Sequence, residues 1–274
     1  MTDMNFTELE KRVKFAETIA IEAGEILEKY LGNLSGFDAK ASSVDLVTEA
    51  DQACDQYLRS KISMVFPEDL LLTEEANASD AHQLREEATK SERFLWCVDP
   101  LDGTTNFVHG YPKFGVSVGL IFKDKVVGGV IHAPALGETL VGGRNIAATM
   151  NGAPIRTSAT KLGSQSLLAT GFSKGANADI KKPLRNLELI LKHCHGIRRS
   201  GSAALDLCDV AMGRLDGFYE WQLNAWDVVA GQAIVEAAGG TLTDTDGNPH
   251  DPFAGSLCAT NTHIHEELLG LLTD

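Results

Sequence analysis

The feature that most constrains this chain is a buried strand that runs directly into acidic residues. The apolar segment Phe94 to Val98 predicts a strand in the core, and Asp99 and Asp102 follow it without a spacer. Pro100 lacks an amide donor and has a fixed φ angle, so we expect the strand to end there. A turn through Gly103 can then direct both carboxylates to the same side. Two like charges placed in this way repel, unless one is protonated or a cation lies between them.

The residues after these two acids are suited to a cation and a phosphate. Carboxylate oxygens are the ligands that Mg²⁺ prefers, in octahedral geometry. Thr104 and Thr105 follow Gly103, where free backbone amides can hold a phosphate group. The same stretch also suits a solvated turn, because Asp, Pro and Gly are common turn formers. This segment alone leaves both interpretations open.

Two more acidic positions border apolar segments. Asp227 follows Trp226 at the start of an apolar helical segment, where its charge meets the positive end of the helix dipole. Glu74 and Glu75 come directly after the apolar segment Leu70–Thr73. A helix cap at Asp227 and an ordinary loop at the two glutamates are the simpler interpretations of each position by itself.

Composition narrows the class of protein. The chain has 274 residues, enough for one large domain or two fused halves, and 43% of them are hydrophobic. A formal net charge of −14 argues against a nucleic-acid partner, because no basic patch is evident to replace the counterions of phosphates. Five cysteines without a CxxC pair, a polar N-terminus and no apolar run of about 18 residues predict a soluble, cytoplasmic protein with no membrane partner.

The apolar pattern predicts an α+β layered fold. In the first part of the chain, Thr7 and Glu10 predict a capping box for a helix that ends at Gly32. Predicted next are a helix over Glu49–Phe66, a loop or short helix over 76–92, and strands at Leu70–Thr73, Phe94–Val98, Gly115–Phe122, Val126–His132 and Glu138–Val141. The last three strands are expected to form an antiparallel meander.

The second part of the chain mixes helices with strands. Helices are predicted near 182–194, 202–213, 226–238 and 262–272, and strands at 167–170, 217–220, 240–244 and 256–260. We expect two halves, residues 1–145 with most of the acidic cluster and residues 146–274 with Asp227, joined into a single catalytic unit over 1–274.

Five segments in chain order resemble the inositol monophosphatase family. They are VDLVTEAD (44–51), LTEE (72–75), DPLDGTTNFVHG (99–110), GSAALDL (201–207) and WDVVAGQAIVEAAGG (226–240). The pairing of DPLDGTT with a distant WD-x-x-AG is specific, and HGIRRSGSAALDL resembles bacterial members of the family. Sister families that act on 3′-phosphoadenosine phosphate carry Lys-Glu after DPLDGT, where this chain has Thr105 and Asn106. The resemblance implies an αβαβα sandwich and Mg²⁺-dependent hydrolysis of inositol 1-phosphate or a related polyol or sugar phosphate.

The resemblance also implies a ligand set for two Mg²⁺ ions per subunit and a weaker third. The ligands would be Glu74, Asp99, the backbone carbonyl of Leu101, Asp102 and Asp227. Asp99 would bridge the first two ions, which would activate the attacking water and stabilise the leaving group. Lys40 matches a family lysine near the third ion. The family further implies a homodimer and sensitivity to Li⁺.

Other residues receive roles from the same resemblance. Thr104 would orient the attacking water with Asp51 hydrogen-bonded behind it, and the amides at Gly103 and Thr104 would hold the phosphate. The sugar side of the substrate would be lined by Gly201, Ser202, Ala203 and Asp227. Glu220 would accept hydrogen bonds from ring hydroxyls, although a solvated strand end is the simpler interpretation of that residue.

Three alternatives stay open at this stage. The same scaffold could act on histidinol phosphate, fructose 1,6-bisphosphate or a nucleotide phosphate, and Glu220 would suit an amine. The chain could be a Mg²⁺-binding regulatory or interaction protein, although the complete acidic set argues against that as its only function. Arg198 and Arg199 could contact phosphate or could form a dimer or helix contact.

Overall fold

The computed structural model describes residues 4–31, 37–39, 46–172 and 181–273. The helices in these ranges are α1 Phe6–Tyr30, α2 Glu49–Val65, α3 Glu74–Asn77, α4 Ala81–Lys90, α5 Thr104–Val108, α6 Lys181–Ile190, α7 Ala203–Ala211, α8 Ala225–Ala237 and α9 His265–Thr273. The strands are β1 Phe37–Ala39, β2 Leu46–Thr48, β3 Leu70–Thr73, β4 Phe94–Asp102, β5 Gly115–Phe122, β6 Lys125–Ala133, β7 Glu138–Gly143, β8 Ile146–Met150, β9 Ala153–Pro154, β10 Leu167–Thr170, β11 Gly196–Arg198, β12 Gly217–Trp221, β13 Thr241–Thr243 and β14 Ser256–Thr260.

Most of these strands belong to two sheets. Within the described ranges, the larger sheet has the order β3-β4-β5-β6-β7-β8-β9, and the smaller has the order β11-β10-β12-β14-β13. β3 runs parallel to β4, whereas β4 to β9 pair antiparallel in sequence, which confirms the predicted meander. In the smaller sheet, β10 is parallel to both β11 and β12.

The helices and sheets form alternating layers. Helices α1 and α2 cover one face of the larger sheet, and α8 covers the opposite face. Helix α7 packs beside α8 between the two sheets, and α6 and α9 lie together on the outer side of the smaller sheet. The chain therefore has the predicted α+β layered fold. No helix of the described residues combines the length and the apolar character needed to cross a membrane.

The contact between α8 and the larger sheet depends on small residues. A side-chain Cβ at Gly129 of β6 would lie 2.3 Å from the carbonyl oxygen of Ala230, in α8. Ser117 of β5 also donates a hydrogen bond to the carbonyl of Trp226 over 3.1 Å. This close approach fixes the first turn of α8 over the sheet, and Asp227 lies in that turn.

Several predicted boundaries were wrong. Asn5, not Thr7, caps α1, since its side chain accepts a hydrogen bond from the Thr7 amide. Helix α1 ends at Tyr30, and Gly32 lies outside the described residues. β4 does not end before Pro100 but continues to Asp102, with a register shift between Asp99 and Asp102 where the proline cannot donate.

Helix α4 lies within the polar stretch 76–92, for which a loop or short helix was predicted. Strands β8, β9 and β11 were missing from the prediction. β8 and β9 extend the larger sheet as far as Pro154, so this sheet reaches beyond the boundary expected near residue 145.

Candidate active site

Three carboxylates from separate segments meet at one end of the larger sheet. Glu74 begins α3 directly after β3, Asp99 lies in β4, and Asp227 lies in the first turn of α8. Each offers an oxygen atom, and these oxygens lie within 4.8 Å of one another. The parallel pairing of Thr73 with Val98 brings Glu74 beside Asp99, and the packing of α8 adds Asp227.

Burial and mutual repulsion disfavour the ionised form of the carboxylates in this cluster. Burial raises the pKa of Asp99 well above its usual range, and the charges of Glu74, Asp102 and Asp227 raise it further. Burial also raises the pKa of Asp227, with Glu74 and Asp102 as the largest charge contributions. Such a group of carboxylates either takes up protons or holds a cation. The donors are all oxygen atoms, so the cluster fits a hard cation such as Mg²⁺.

Asp102 is held from the opposite side by helix α7. Its carboxylate accepts hydrogen bonds from the Ser202 hydroxyl and, over 2.8 Å, from the amide of Ala204. It still lies close enough to Asp99 and Asp227 to raise their pKa values. Asp102 thus joins the acidic cluster to the N-terminus of α7.

The carbonyl of Leu101 lies within a short hydrogen-bonded turn. The amide of Leu101 donates to the Asp99 carboxylate over 2.9 Å, and the Thr104 hydroxyl donates to the Leu101 carbonyl over 3.1 Å. Asp51, in the first turn of α2, is buried and contributes to the raised pKa of Asp99. These contacts gather four of the expected residues around one end of β4.

The backbone conformation at residue 103 requires a glycine. Its φ angle is +87°, in the left-handed region that favours glycine, and a Cβ there would lie 2.8 Å from the carbonyl oxygen of Lys113. The chain can therefore turn sharply from β4 into α5, which begins at Thr104. The amides around this turn are placed beside the acidic cluster.

The expected substrate residues lie on the other side of the cluster. Gly201 has a φ angle of +89°, and Ser202 caps α7 by accepting a hydrogen bond from the Leu205 amide over 3.2 Å. Ala203 begins α7. The Glu220 carboxylate lies against Gly171 and contributes to the raised pKa of Asp227. The structure therefore brings these residues together, whereas Lys40 lies outside the described residues.

Asn106 is a connecting residue that the sequence analysis missed. Its side-chain amide donates to the carbonyls of Lys113 and of Ser200, the latter over 2.9 Å. It therefore joins the turn at Gly103 to the segment that precedes Ser202. The residue type did not indicate this connecting role, since asparagine is common in turns.

Two buried acids of α7 were also missed. Asp209 forms ion pairs with Lys113 and Arg214. Burial raises the pKa of Asp206 to about 7, while a hydrogen bond with Ser200 and the charge of Lys113 act to lower it. A signal was present, because two acids spaced by three residues interrupt an otherwise apolar helix.

Comparisons with known proteins agree with this arrangement. The model of the "Inositol monophosphatase family" matches residues 8–274. The inositol-1-monophosphatase of Synechocystis is 37% identical over 96% of this chain and 88% of its own length. A Thermotoga maritima fructose-1,6-bisphosphatase/inositol-1-monophosphatase is 34% identical over 96% of each chain.

A solved structure shows the same fold. The inositol monophosphatase of Anabaena superposes with a TM-score of 0.81 at 35% identity, over 97% of this chain and 96% of that one. The chain therefore belongs to the inositol monophosphatase family of phosphomonoesterases.

Proposed function

We propose that this protein is a Mg²⁺-dependent phosphatase that hydrolyses inositol 1-phosphate or a related polyol or sugar phosphate. The observation that carries the proposal is the meeting of the Glu74, Asp99 and Asp227 carboxylates within 4.8 Å. Two relatives named above are inositol monophosphatases, and one of them is also named a fructose-1,6-bisphosphatase. Fructose 1,6-bisphosphate is therefore retained as a second substrate candidate.

The acidic residues would hold two or three Mg²⁺ ions. The set would consist of Glu74, Asp99, the Leu101 carbonyl, Asp102 and Asp227. Bound Mg²⁺ in such a site activates water as a nucleophile and stabilises charge on the phosphoryl and leaving oxygens. Without a cation, burial and the neighbouring charges raise the pKa values of Asp99 and Asp227. Bound Mg²⁺ would hold both carboxylates in their ionised form.

The protein groups around this centre would place the substrate. Amides at Gly103 and Thr104 would bind the phosphoryl oxygens, because the left-handed turn exposes them beside the cluster. The Thr104 hydroxyl, already donating to Leu101, has a lone pair left to accept a hydrogen bond from the attacking water. Asp51 would orient this hydroxyl from behind by accepting its proton in place of the Leu101 carbonyl, once that carbonyl holds a cation.

The polyol would lie between α7 and β12. Gly201, Ser202 and Ala203 would line one side of it, and the Glu220 carboxylate would accept hydrogen bonds from its hydroxyls. Glu220 lies close enough to Asp227 to contribute to its raised pKa. This proximity supports a role for both residues at the same substrate.

The test is phosphate release from a substrate panel with Mg²⁺ and with EDTA. The panel contains inositol 1-phosphate, glycerol 2-phosphate, fructose 1,6-bisphosphate, histidinol phosphate and 3′-phosphoadenosine phosphate. We expect release from the polyol and sugar phosphates only with Mg²⁺, and a loss of about 10³-fold or more in Asp99→Asn, which removes a carboxylate charge from the acidic cluster. Release that persists in EDTA, or that Asp99→Asn leaves intact, would contradict the proposal.

Homodimer formation, a cytoplasmic location and Li⁺ sensitivity stay predictions. The five cysteines, all in the described part of the chain, are free, which is compatible with a reducing compartment. Sedimentation of the purified protein tests homodimer formation, and inhibition by LiCl tests Li⁺ sensitivity.

A further inference from the structure

Of the three carboxylates that meet at the acidic cluster, Glu74 has the least support from regular structure. Asp99 lies inside β4, which pairs with a strand on each side, and Asp227 lies in the 13-residue helix α8. Glu74 instead begins α3, which has 4 residues and follows β3, the edge strand of the larger sheet within the described ranges. A helix of one turn is not stable by itself, because helix nucleation is unfavourable. Other contacts must therefore fix the position of the Glu74 carboxylate.

The side-chain amide of Asn77 closes the turn that carries Glu74. Its nitrogen donates a hydrogen bond to the carbonyl of Leu71 over 2.8 Å, and its oxygen accepts one from the amide of Thr73, also over 2.8 Å. Asn77 is the last residue of α3, so these two bonds tie the end of the helical turn back to the strand that precedes it.

The Asn77 amide takes the place that a further strand would have beside β3. An edge strand presents unpaired N–H and C=O groups, and Leu71 and Thr73 are alternate residues of β3. A side-chain amide has both a donor and an acceptor, so it satisfies these two backbone groups at once. A carboxylate in the same position would have no donor for the Leu71 carbonyl.

The Thr73 hydroxyl supports the same turn. It caps α3 by accepting a hydrogen bond from a backbone amide of that helix over 3.2 Å, and Thr73 is buried, with 1% of its surface exposed. Thr73 also pairs with Val98 in β4, the residue before Asp99. Glu74 follows Thr73 directly, so the cap and the Asn77 amide together fix it relative to Asp99.

We propose that Asn77 is a positioning residue for the cation site. Its amide, together with the Thr73 hydroxyl, fixes the turn so that the Glu74 carboxylate meets the other two carboxylates before a cation binds. This inference rests on the proposed Mg²⁺-dependent function and adds to it a residue, outside the acidic set, that controls the affinity for the ion. Residues that orient metal ligands without touching the metal commonly change the affinity by about 10- to 100-fold when they are replaced.

The quantity to measure is the Kd of Mg²⁺ for the substrate-free protein, by titration calorimetry with MgCl₂. We expect Asn77→Ala to raise this Kd by about tenfold, because the loosened turn no longer holds the Glu74 carboxylate in the cluster. Thr73→Val keeps the shape of the buried side chain but removes the capping hydroxyl, so it should also raise the Kd. At saturating Mg²⁺, the kcat of Asn77→Ala for inositol 1-phosphate should approach that of the unmodified protein.

Asn186→Ala is the matched control. The Asn186 side chain also forms two hydrogen bonds with the backbone, to the carbonyls of Leu271 and Leu272, but it joins α6 to α9 on the outer side of the smaller sheet. Both alanine variants lose two hydrogen bonds and should have a lower Tm in EDTA, whereas only Asn77→Ala should raise the Kd. Ser79→Ala removes an exposed hydroxyl two residues beyond Asn77 and should change neither quantity.

The outcomes separate this inference from the proposed function. An unchanged Kd in Asn77→Ala would overturn the role of Asn77 and leave the phosphatase proposal intact. A Kd raised equally by Asn77→Ala and Asn186→Ala would also overturn it, because general loss of stability would then be the cause. If Asn77→Ala does not fold, Thr73→Val decides, and an unchanged Kd there overturns the inference. No Mg²⁺ binding by the unmodified protein would overturn both proposals.

Discussion

The hydroxyl of Ser202 donates a hydrogen bond to the carboxylate of Asp102, which joins helix α7 to the larger sheet at the acidic cluster. Ser202 caps a helix between the sheets, whereas Asp102 ends a strand of the larger sheet. The same hydroxyl accepts a hydrogen bond from Leu205 and so serves the helix cap and the cluster at once. Helix capping and the orientation of one carboxylate are therefore coupled.

Ser202→Ala should weaken both functions. We expect a loss of about 1–2 kcal/mol in the free energy of unfolding, from the lost cap, together with a lower Mg²⁺ affinity. Urea unfolding and Mg²⁺-dependent activity measure the two effects. Ser202→Thr retains a hydroxyl and is the control, so a Thr variant as impaired as the Ala variant would contradict this assignment.

Asn106→Ala should disturb the relative position of the phosphate turn and the substrate loop. The carbonyls of Lys113 and Ser200 lose their shared donor, and we expect kcat/KM to fall about tenfold with a stability loss of about 1–3 kcal/mol. Steady-state kinetics and thermal unfolding check this. Gln83→Ala removes an exposed side-chain amide from helix α4 and should change neither quantity.

The raised pKa of Asp206 predicts that the free energy of unfolding depends on pH. Burial raises its pKa from 3.8 to about 7, so the folded protein retains a proton that the unfolded chain releases between these values. The free energy of unfolding should therefore fall as pH rises from about 4 to about 7, by at most about 4 kcal/mol from this group, and stay constant above.

Asp206→Asn cannot titrate and should lose that part of the slope. Urea unfolding across the pH range measures it, with Asp80→Asn as an exposed control. An unchanged slope in Asp206→Asn would show that other groups cause the dependence.

Gly171→Ala should displace the Glu220 side chain. A Cβ at residue 171 would overlap the Glu220 carboxylate, at 1.9 Å from one oxygen. If Glu220 accepts hydrogen bonds from substrate hydroxyls, Gly171→Ala and Glu220→Gln should both raise KM for inositol 1-phosphate by about tenfold. Equal KM values in the variants and the unmodified protein would remove Glu220 from the substrate site.

Mg²⁺ should stabilise the folded protein, because it relieves repulsion among buried carboxylates. At a Mg²⁺ concentration 100 times its Kd, we expect about 2.7 kcal/mol of added stability, seen as a higher Tm than in EDTA. Asp227→Asn should bind Mg²⁺ more weakly and yet be more stable than the unmodified protein in EDTA, since one repelling charge is gone. Identical Tm values with Mg²⁺ and EDTA would contradict the metal site.

Much of the fold could be predicted because local periodicity reports local structure. The meander from Gly115 to Gly143 has short turns and strands of nearly continuous apolar character, so its strands were placed within two residues of their ends. Short strands such as Gly196–Arg198 were missed because three residues carry too little pattern. β4 continues through Pro100 because Asp102 pairs with Gly115 of the neighbouring strand β5. This pairing cannot be predicted from the local sequence around Pro100.

The sequence by itself determined the chemistry of the site: acids at the ends of apolar segments, a glycine before two threonines and an acid opening an apolar helix. Only the tertiary structure decided which of these groups meet. Glu74, Asp99 and Asp227 come together because β3 pairs with β4 and α8 packs on the sheet. Contacts such as Asn106 with Ser200 join residues far apart in the chain, where the contact depends on packing and not on the local pattern.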